Sequence, residues 1–246
     1  MSRLIQLSQQ FKSLRFNAMA EHLESLIRQA EDNELSYLQF ASLLVETELG
    51  SRDKRRIQLN RKKACFPALK RLDEFDFRFQ TTITKKQIQA LLDFRFIDER
   101  ENIVFIGSPG VGKTHLGISI GSKAIDAGYK VWFTSALELI ELLEIAEIKG
   151  ELKKKITTLC KFDLIIIDEL GYLPLNKQGM FNLFQFINTL YEYRSVIITT
   201  NKDFTSWNDF FIDENVAVPV IDRLIHHSHL FMMGGESYRL KNKLNH

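Results

Sequence analysis

The sequence predicts an α/β fold, in which helices cover a parallel β-sheet, preceded by a small all-α domain. Three observations support this prediction: helical spacing without strands at the amino terminus, alternating strands and helices from about Phe75 onward, and strands that are apolar throughout. A strand such as Leu164–Ile167 has no polar face, so both faces are expected to be buried, as in a parallel sheet. We therefore expect two domains, at 1–72 and 73–246.

Composition excludes a membrane-spanning protein and favours a globular one. The chain has 246 residues, of which 45% are hydrophobic and 26% charged. No apolar run approaches the roughly 20 residues of a membrane helix, and the amino terminus lacks the apolar core of a signal peptide. Cys65 and Cys160 are isolated, which predicts neither a disulfide framework nor a zinc site. We expect a cytoplasmic protein without a membrane partner.

The amino-terminal domain shows three stretches of helical periodicity. Apolar residues recur every three or four positions in the following sets: Leu4, Leu7, Phe11 and Leu14; Met19, Leu23, Leu26 and Ile27; Tyr37, Phe40, Leu43, Leu44 and Leu49. Ser36 precedes the third stretch, where its hydroxyl can cap a helix. We interpret these stripes as core packing.

The second domain alternates apolar strands with helices. Strands are expected at 102–106, 129–134, 163–168, 195–200 and 229–233. Helices fill the gaps, among them His115–Ala127, Leu137–Ile148 and Gln178–Tyr193. Ligands of such sheets bind at the carboxyl ends of the strands, so the residues after each strand are the candidates for a site.

A phosphate-binding loop follows the first of these strands. Residues 107–114 match G-x-x-x-x-G-K-[ST] at every fixed position and join a strand to a helix, as this pattern requires. Backbone N–H groups can surround a phosphate, Lys113 adds a positive charge, and Thr114 offers a hydroxyl to Mg²⁺. The predicted nucleotide contacts are Gly107, Ser108, Pro109, Gly110, Val111, Gly112, Lys113, Thr114 and His115.

Two carboxylates, Asp168 and Glu169, follow the apolar strand Leu164–Ile167. Asp168 is expected to hold Mg²⁺ together with Thr114, usually through a water, and Glu169 to polarise the water that attacks the γ-phosphate. An apolar strand that ends in acids is a weak pattern alone. The phosphate-binding loop upstream makes this interpretation much stronger.

The strand at 195–200 also ends in a polar residue, Asn201. Its amide can donate to the γ-phosphate or orient the attacking water. Asn is equally favoured in the turns that end strands, so the spacing alone does not decide between the two roles.

Five segments together resemble the IstB-like AAA+ ATPases, which are helpers of bacterial insertion-sequence transposition related to the DnaC helicase loader. The segments are GSPGVGKTH, LIIIDELGYLPL, IITTN, IDRLIHHSH and GGESYRLK. Many ATPases share the first segment, whereas DELGYLPL and GESYR are much more particular. The resemblance covers nearly the whole chain and implies an AAA+ P-loop NTPase domain. A full C-terminal helical lid is not expected, because only about a dozen residues follow Met233.

The resemblance also implies a role for each matching residue. Lys113 and Thr114 match Walker A, Asp168 and Glu169 match Walker B, and Asn201 matches sensor 1.

Two arginines match positions that read phosphate in this family. Arg223 matches the arginine supplied to the nucleotide of a neighbouring subunit, and Arg239 matches the sensor 2 arginine at the γ-phosphate. A guanidinium is always charged and can grip phosphate oxygens as a fork. Arg223 could instead form a surface ion pair with Asp222.

An arginine given to a neighbour requires head-to-tail assembly, so the resemblance implies an ATP-dependent oligomer. The expected partners are DNA of any sequence and the transposase of the same element. The candidates for DNA contact come from a basic run with one acid, Asp53, although the same run could be a solvated helix face: Arg52, Arg55, Arg56, Arg61, Lys62 and Lys63. A helicase loader, or a nucleotide-gated DNA scaffold with little hydrolysis, remains an alternative.

Overall fold

The computed structural model describes residues 3–172, 175–203, 206–211 and 214–244. It divides the chain into two compact units, Met1–Leu59 and Asn60–His246. Residues 60–72 thus group with the second unit, although the sequence places the domain boundary after them. Leu173 and Pro174, the end of the GYLPL segment, lie outside the described residues.

The first unit consists of helices, as the periodicity predicts. They are α1 (Arg3–Ser13), α2 (Asn17–Asp32) and α3 (Tyr37–Lys63), of which the last turn belongs to the second unit. The hydroxyl of Ser36 accepts a hydrogen bond from the Gln39 amide at 3.3 Å, so the predicted cap is present. The buried residues of α2 form one face: Ala18, Met19, Ala20, Leu23 and Leu26.

A buried carboxylate caps the N-terminus of α2. Glu48 of α3 accepts hydrogen bonds from the backbone N–H groups of Ala18 (2.8 Å) and Met19 (3.2 Å) and pairs with Arg52 at 2.8 Å. Burial raises the pKa of Glu48, but the hydrogen bonds and the charge of Arg52 together lower it further, so the net pKa lies below the ordinary value. Glu48 therefore satisfies helix donors that would otherwise be unpaired.

The second unit contains a parallel sheet of five strands. The strands are β1 (Asn102–Gly107), β2 (Val131–Ser135), β3 (Leu164–Asp168), β4 (Ser195–Thr200) and β5 (Ser228–Met233). Their order in the sheet is β2-β3-β4-β1-β5, and all pairs are parallel. The strands predicted from the sequence are confirmed, with small shifts at their ends.

The helices of this unit connect and cover the strands. They are α4 (Lys85–Ala90), α5 (Arg95–Asp98), α6 (Lys113–Asp126), α7 (Ala136–Ile148), α8 (Leu152–Leu159), α9 (Lys177–Leu190), α10 (Trp207–Phe210), α11 (Glu214–Ile225) and α12 (Tyr238–Leu244). Two 3₁₀ turns lie at Leu72–Glu74 and Leu91–Asp93. No helix in the described part of the chain is long and apolar enough to cross a membrane.

Both faces of the sheet are covered, as the apolar strands predict. Ile165 and Ile167 of β3 belong to the core cluster formed with α7, α9 and α11, whereas Ile166 points to the opposite face. There α6 lies so close that a Cβ on Gly121 would come within 2.6 Å of Ile166. Each such buried side chain contributes about 1.5–3 kcal/mol. The packing fixes the strand ends that carry the candidate site.

Candidate functional site

The carboxyl ends of β1, β4 and β3 lie side by side, because these strands are neighbours in the sheet. A cavity of about 750 Å³ opens there. The predicted site residues that line it are Pro109, Gly110, Val111, Gly112, Lys113, Thr114, His115, Glu169, Asn201 and Arg239. The fold thus brings together candidates from four distant segments of the chain.

The backbone of the phosphate-binding loop depends on Gly112. Its φ of 103° lies in the left-handed region, and a Cβ at this position would lie 2.5 Å from the ring of Phe75. Gly112 also caps α6, which begins at Lys113. The N–H groups of the first turn of α6 therefore face the loop, where they can bind an anion.

Lys113 is buried beside this loop, with 9% of its surface exposed. Its ammonium donates to the carbonyl oxygens of Gly107 at 2.6 Å and Ser108 at 2.8 Å. Burial lowers the pKa of Lys113, partly offset by the nearby carboxylates of Asp168 and Glu169. The cation is thus held where water solvates it poorly, which favours an anionic ligand.

Thr114 and Asp168 are in direct contact. The hydroxyl of Thr114 donates to Oδ1 of Asp168 at 2.8 Å, and the hydroxyl of Thr199 donates to the same oxygen. A hydroxyl and a carboxylate that meet beside a phosphate-binding loop are the hard oxygen ligands that Mg²⁺ prefers, so the residues fit this ion.

Thr199 was missed as a site residue by sequence reasoning. Besides its bond to Asp168, its hydroxyl accepts the backbone N–H of Glu169 at 2.9 Å, and Glu169 has a φ of 60°, in the left-handed region. Thr199 therefore holds the turn that directs Glu169 to the cavity. The signal available in the sequence is the polar end of β4, where Thr199 and Thr200 precede Asn201.

Arg223 does not line the cavity of its own chain. Its Nη1 donates to the carbonyl oxygen of Pro219 at 2.9 Å, and its guanidinium lies over the rings of Phe184 and Tyr191, 5.7 and 5.8 Å from their centroids. No ion pair joins it to Asp222 within the described ranges. Within one chain, Arg223 therefore lies apart from the candidates that line the cavity.

The basic candidates differ in their surroundings. Arg52 pairs with Glu48, and Arg61 pairs with Asp126 at 2.6 Å. Arg56 pairs with Asp53 at 3.2 Å on the surface. Among the residues that the structure describes, none forms an ion pair with the remaining candidates, which are exposed: Arg55, Lys62 and Lys63.

The histidines of IDRLIHHSH make local contacts. Nδ1 of His226 lies 3.3 Å from the hydroxyl of Tyr191, and Nε2 of His229 lies 2.7 Å from a carboxylate oxygen of Glu101. No group of three or more His, Cys, Asp or Glu side chains suited to a metal ion is found in the described residues. All three histidines, His226, His227 and His229, are exposed.

One wall of the cavity was not foreseen from the sequence. Tyr172 and Tyr238 contribute to this wall. The other residues that form it precede the sheet: Lys70, Glu74, Phe75, Asp76, Phe79 and Gln80. Phe75 was predicted only as the approximate start of the alternating strands and helices, and no ligand contact was predicted for this segment. The signal in the sequence is its three aromatic residues, Phe75, Phe77 and Phe79, which follow the helical region.

Comparison with known proteins places the chain among the ATP-binding proteins of insertion sequences. Residues 9–246 match the family model described as IstB-like ATP binding protein. The chain is 39% identical to the insertion sequence IS21 putative ATP-binding protein of Pseudomonas aeruginosa, over 94% of this chain and 87% of that protein. It is 41% identical to the insertion sequence IS5376 putative ATP-binding protein of Geobacillus stearothermophilus, over 94% and 92%.

The fold also occurs among solved structures. AMPPCP-bound DnaA from Aquifex aeolicus matches with a TM-score of 0.55 and 21% sequence identity, over 73% of this chain and 56% of that chain. This likeness concerns the fold alone.

Proposed function

Because this chain belongs to the family of IstB-like ATP binding proteins, we propose that it is a Mg²⁺-dependent ATPase that assembles on DNA and delivers target DNA to a transposase. One observation carries the enzymatic part of this proposal. Lys113, the hydrogen-bonded pair Thr114–Asp168, and Glu169 meet at a single cavity of about 750 Å³. This combination is the one that phosphoryl transfer to water requires.

Each side chain has a defined task in this mechanism. Lys113 and the first turn of α6 bind the phosphates of ATP. Mg²⁺, held by Thr114 and Asp168, would neutralise charge on the phosphate oxygens. Glu169 lines the cavity and polarises the attacking water, and Asn201, which also lines it, orients that water.

The two arginines act on the same phosphate from different chains. Arg239 lines the cavity and contacts the γ-phosphate in its own chain. Arg223 lies outside that cavity and is held by Pro219 and two aromatic rings, which supports a role at the nucleotide of the next subunit. Nucleotide between subunits then couples hydrolysis to assembly, and an assembly repeats any weak DNA contact many times.

The DNA part of the proposal is tested by fluorescence anisotropy with duplexes of unrelated sequence. Binding should require ATP, ignore sequence and weaken with salt, because it depends on phosphate contacts. Replacing Arg55 and Lys62 by Ala should reduce the slope of log K against log salt by about one per lost contact. Arg28→Ala, an exposed arginine on α2, is the matched control.

Two outcomes of the same anisotropy titrations would contradict the DNA part of the proposal. No ATP-stimulated binding at low salt would refute assembly on DNA. An unchanged slope for the Arg55 and Lys62 variant would show that this run is a solvated helix face.

A further inference from the structure

Gln80 is buried beside the nucleotide site, with 3% of its surface exposed, and its amide is fully used. Nε2 donates to the carbonyl oxygens of Val111 in the phosphate-binding loop, at 3.3 Å, and of Gly234, at 3.0 Å. Oε1 accepts from the backbone N–H of Thr82 at 3.1 Å and from its hydroxyl at 2.7 Å. Only an amide side chain provides both groups, since Nε2 donates two of these hydrogen bonds and Oε1 accepts the other two.

Thr82 extends this connection to the backbone that follows β5. Its hydroxyl donates to Gln80 and at the same time accepts the N–H of Gly234 at 3.2 Å. Gly234 is thus held at its carbonyl by Gln80 and at its N–H by Thr82. The chain direction immediately after the sheet is therefore set by these two side chains.

The segment from Gly234 to Arg239 then passes over the phosphate-binding loop. The N–H of Tyr238 donates to the carbonyl of Gly110 at 3.1 Å. Contact is so close that a Cβ on Gly110 would lie 2.1 Å from the hydroxyl oxygen of Ser237. Arg239 follows directly and lines the cavity.

We propose that Gln80 is a positioning residue of the nucleotide site, which, together with Thr82, holds the Gly234–Arg239 segment against the phosphate-binding loop and thereby places Arg239 at the outer phosphate. This inference rests on the proposed function, because it assigns Arg239 to the γ-phosphate. Gln80 itself is not assigned a contact with the nucleotide, because its amide is occupied by Val111, Gly234 and Thr82. Its effect is expected in the discrimination between ATP and ADP rather than in nucleotide binding as such.

The test measures the ratio of dissociation constants for ADP and for AMPPCP, an ATP analogue that retains three phosphates. Arg239→Ala should lower the preference for AMPPCP. Gln80→Glu keeps the acceptor but loses both donors, and Thr82→Val loses the hydroxyl at an exposed position. Each should lower the same preference by about three- to tenfold, the effect of one or two lost hydrogen bonds. Thr82→Ser keeps the hydroxyl and should restore the wild-type ratio.

Two further measurements separate positioning from a structural role. In an Arg239→Ala background, Thr82→Val should change the ratio no further, because both changes remove the same contact. The control Gln87→Glu makes the same amide-to-carboxylate exchange at a residue whose Oε1 accepts from Thr84, and it should behave as wild type.

The proposal is overturned if Thr82→Val and Gln80→Glu weaken both nucleotides equally, or if the effects of Thr82→Val and Arg239→Ala add. It is also overturned if Arg239→Ala keeps the wild-type ratio, since Gln80 would then have no phosphate contact to position. A failure of the proposed function gives a different result: wild type and a Lys113→Met variant would bind AMPPCP equally weakly.

Discussion

Among the described residues, each unit contains one buried charged side chain at the N-terminus of a helix: Glu48 at α2 in the first unit and Lys113 at α6 in the second. The anion is favourable there, because it meets the positive end of the helix dipole and two N–H donors. The cation is unfavourable there, and burial disfavours it further. The charge of Glu48 therefore stabilises the fold, whereas the charge of Lys113 favours the binding of an anionic ligand.

This comparison predicts opposite consequences for the two charges, and the largest effect concerns Lys113. Lys113→Met keeps the apolar stem and removes the ammonium. The dissociation constant for ATP should rise by about a hundredfold or more, because hydrogen bonds to charged groups contribute about 1.5–3 kcal/mol each. Isothermal titration calorimetry measures the affinity.

The stability of the nucleotide-free protein completes this test. It should not fall in Lys113→Met, because a desolvated cation is removed from a helix N-terminus. Lys123→Ala, at an exposed residue in the last turn of α6, is the control for ATP affinity and should leave it unchanged. If Lys113→Met clearly lost stability but retained its ATP affinity, Lys113 would stabilise the fold, as Glu48 does, and would not bind the nucleotide.

A smaller effect is expected for Glu48→Gln, which should lower stability and leave ATP affinity unchanged, the reverse of Lys113→Met. The free energy of opening of α2 should fall by about 1–3 kcal/mol, because the exchange weakens bonds to buried N–H donors. Native-state hydrogen exchange of the full-length protein measures this opening. ATP affinity should stay at the wild-type value, and Glu46→Gln, an exposed position of α3, serves as the control.

The stabilisation by Glu48 should also depend on pH. Since the folded-state pKa is lowered, the contribution is complete above the ordinary glutamate pKa of about 4.3 and is lost as the pH falls through the folded value. The difference between wild type and Glu48→Gln should therefore disappear in acid. A difference that persists unchanged below the folded-state pKa would contradict the role of the carboxylate.

The two charges also show what could be predicted from the sequence. Lys113 was predicted because the phosphate-binding loop is a local pattern, in which neighbouring residues fix the geometry. Glu48 was not predicted, because its partners, Ala18 and Met19, lie about 30 positions away and belong to another helix. The five strands were predicted for a similar local reason: each contains a short continuous apolar run.

The same limit applies within the site. Asp168 ends β3, and Glu169 and Asn201 directly follow β3 and β4, so their position at one edge of the sheet could be predicted from a parallel arrangement of the strands. Thr199 and Gln80 could not, since their importance lies in hydrogen bonds to segments that are distant in sequence. Residues that belong to a local sequence pattern were thus easier to predict than residues that hold them in place.

The proposal that Arg223 of a neighbouring subunit completes the nucleotide site can be tested by ATP hydrolysis in mixtures of two variants, each of which is inactive alone. Glu169→Gln keeps Arg223, and Arg223→Ala keeps Glu169, so a mixed assembly contains some interfaces with both residues intact. We expect phosphate release to be restored on mixing, in the presence of DNA. A mixture as inactive as its components, or full hydrolysis by Arg223→Ala alone, would contradict this account.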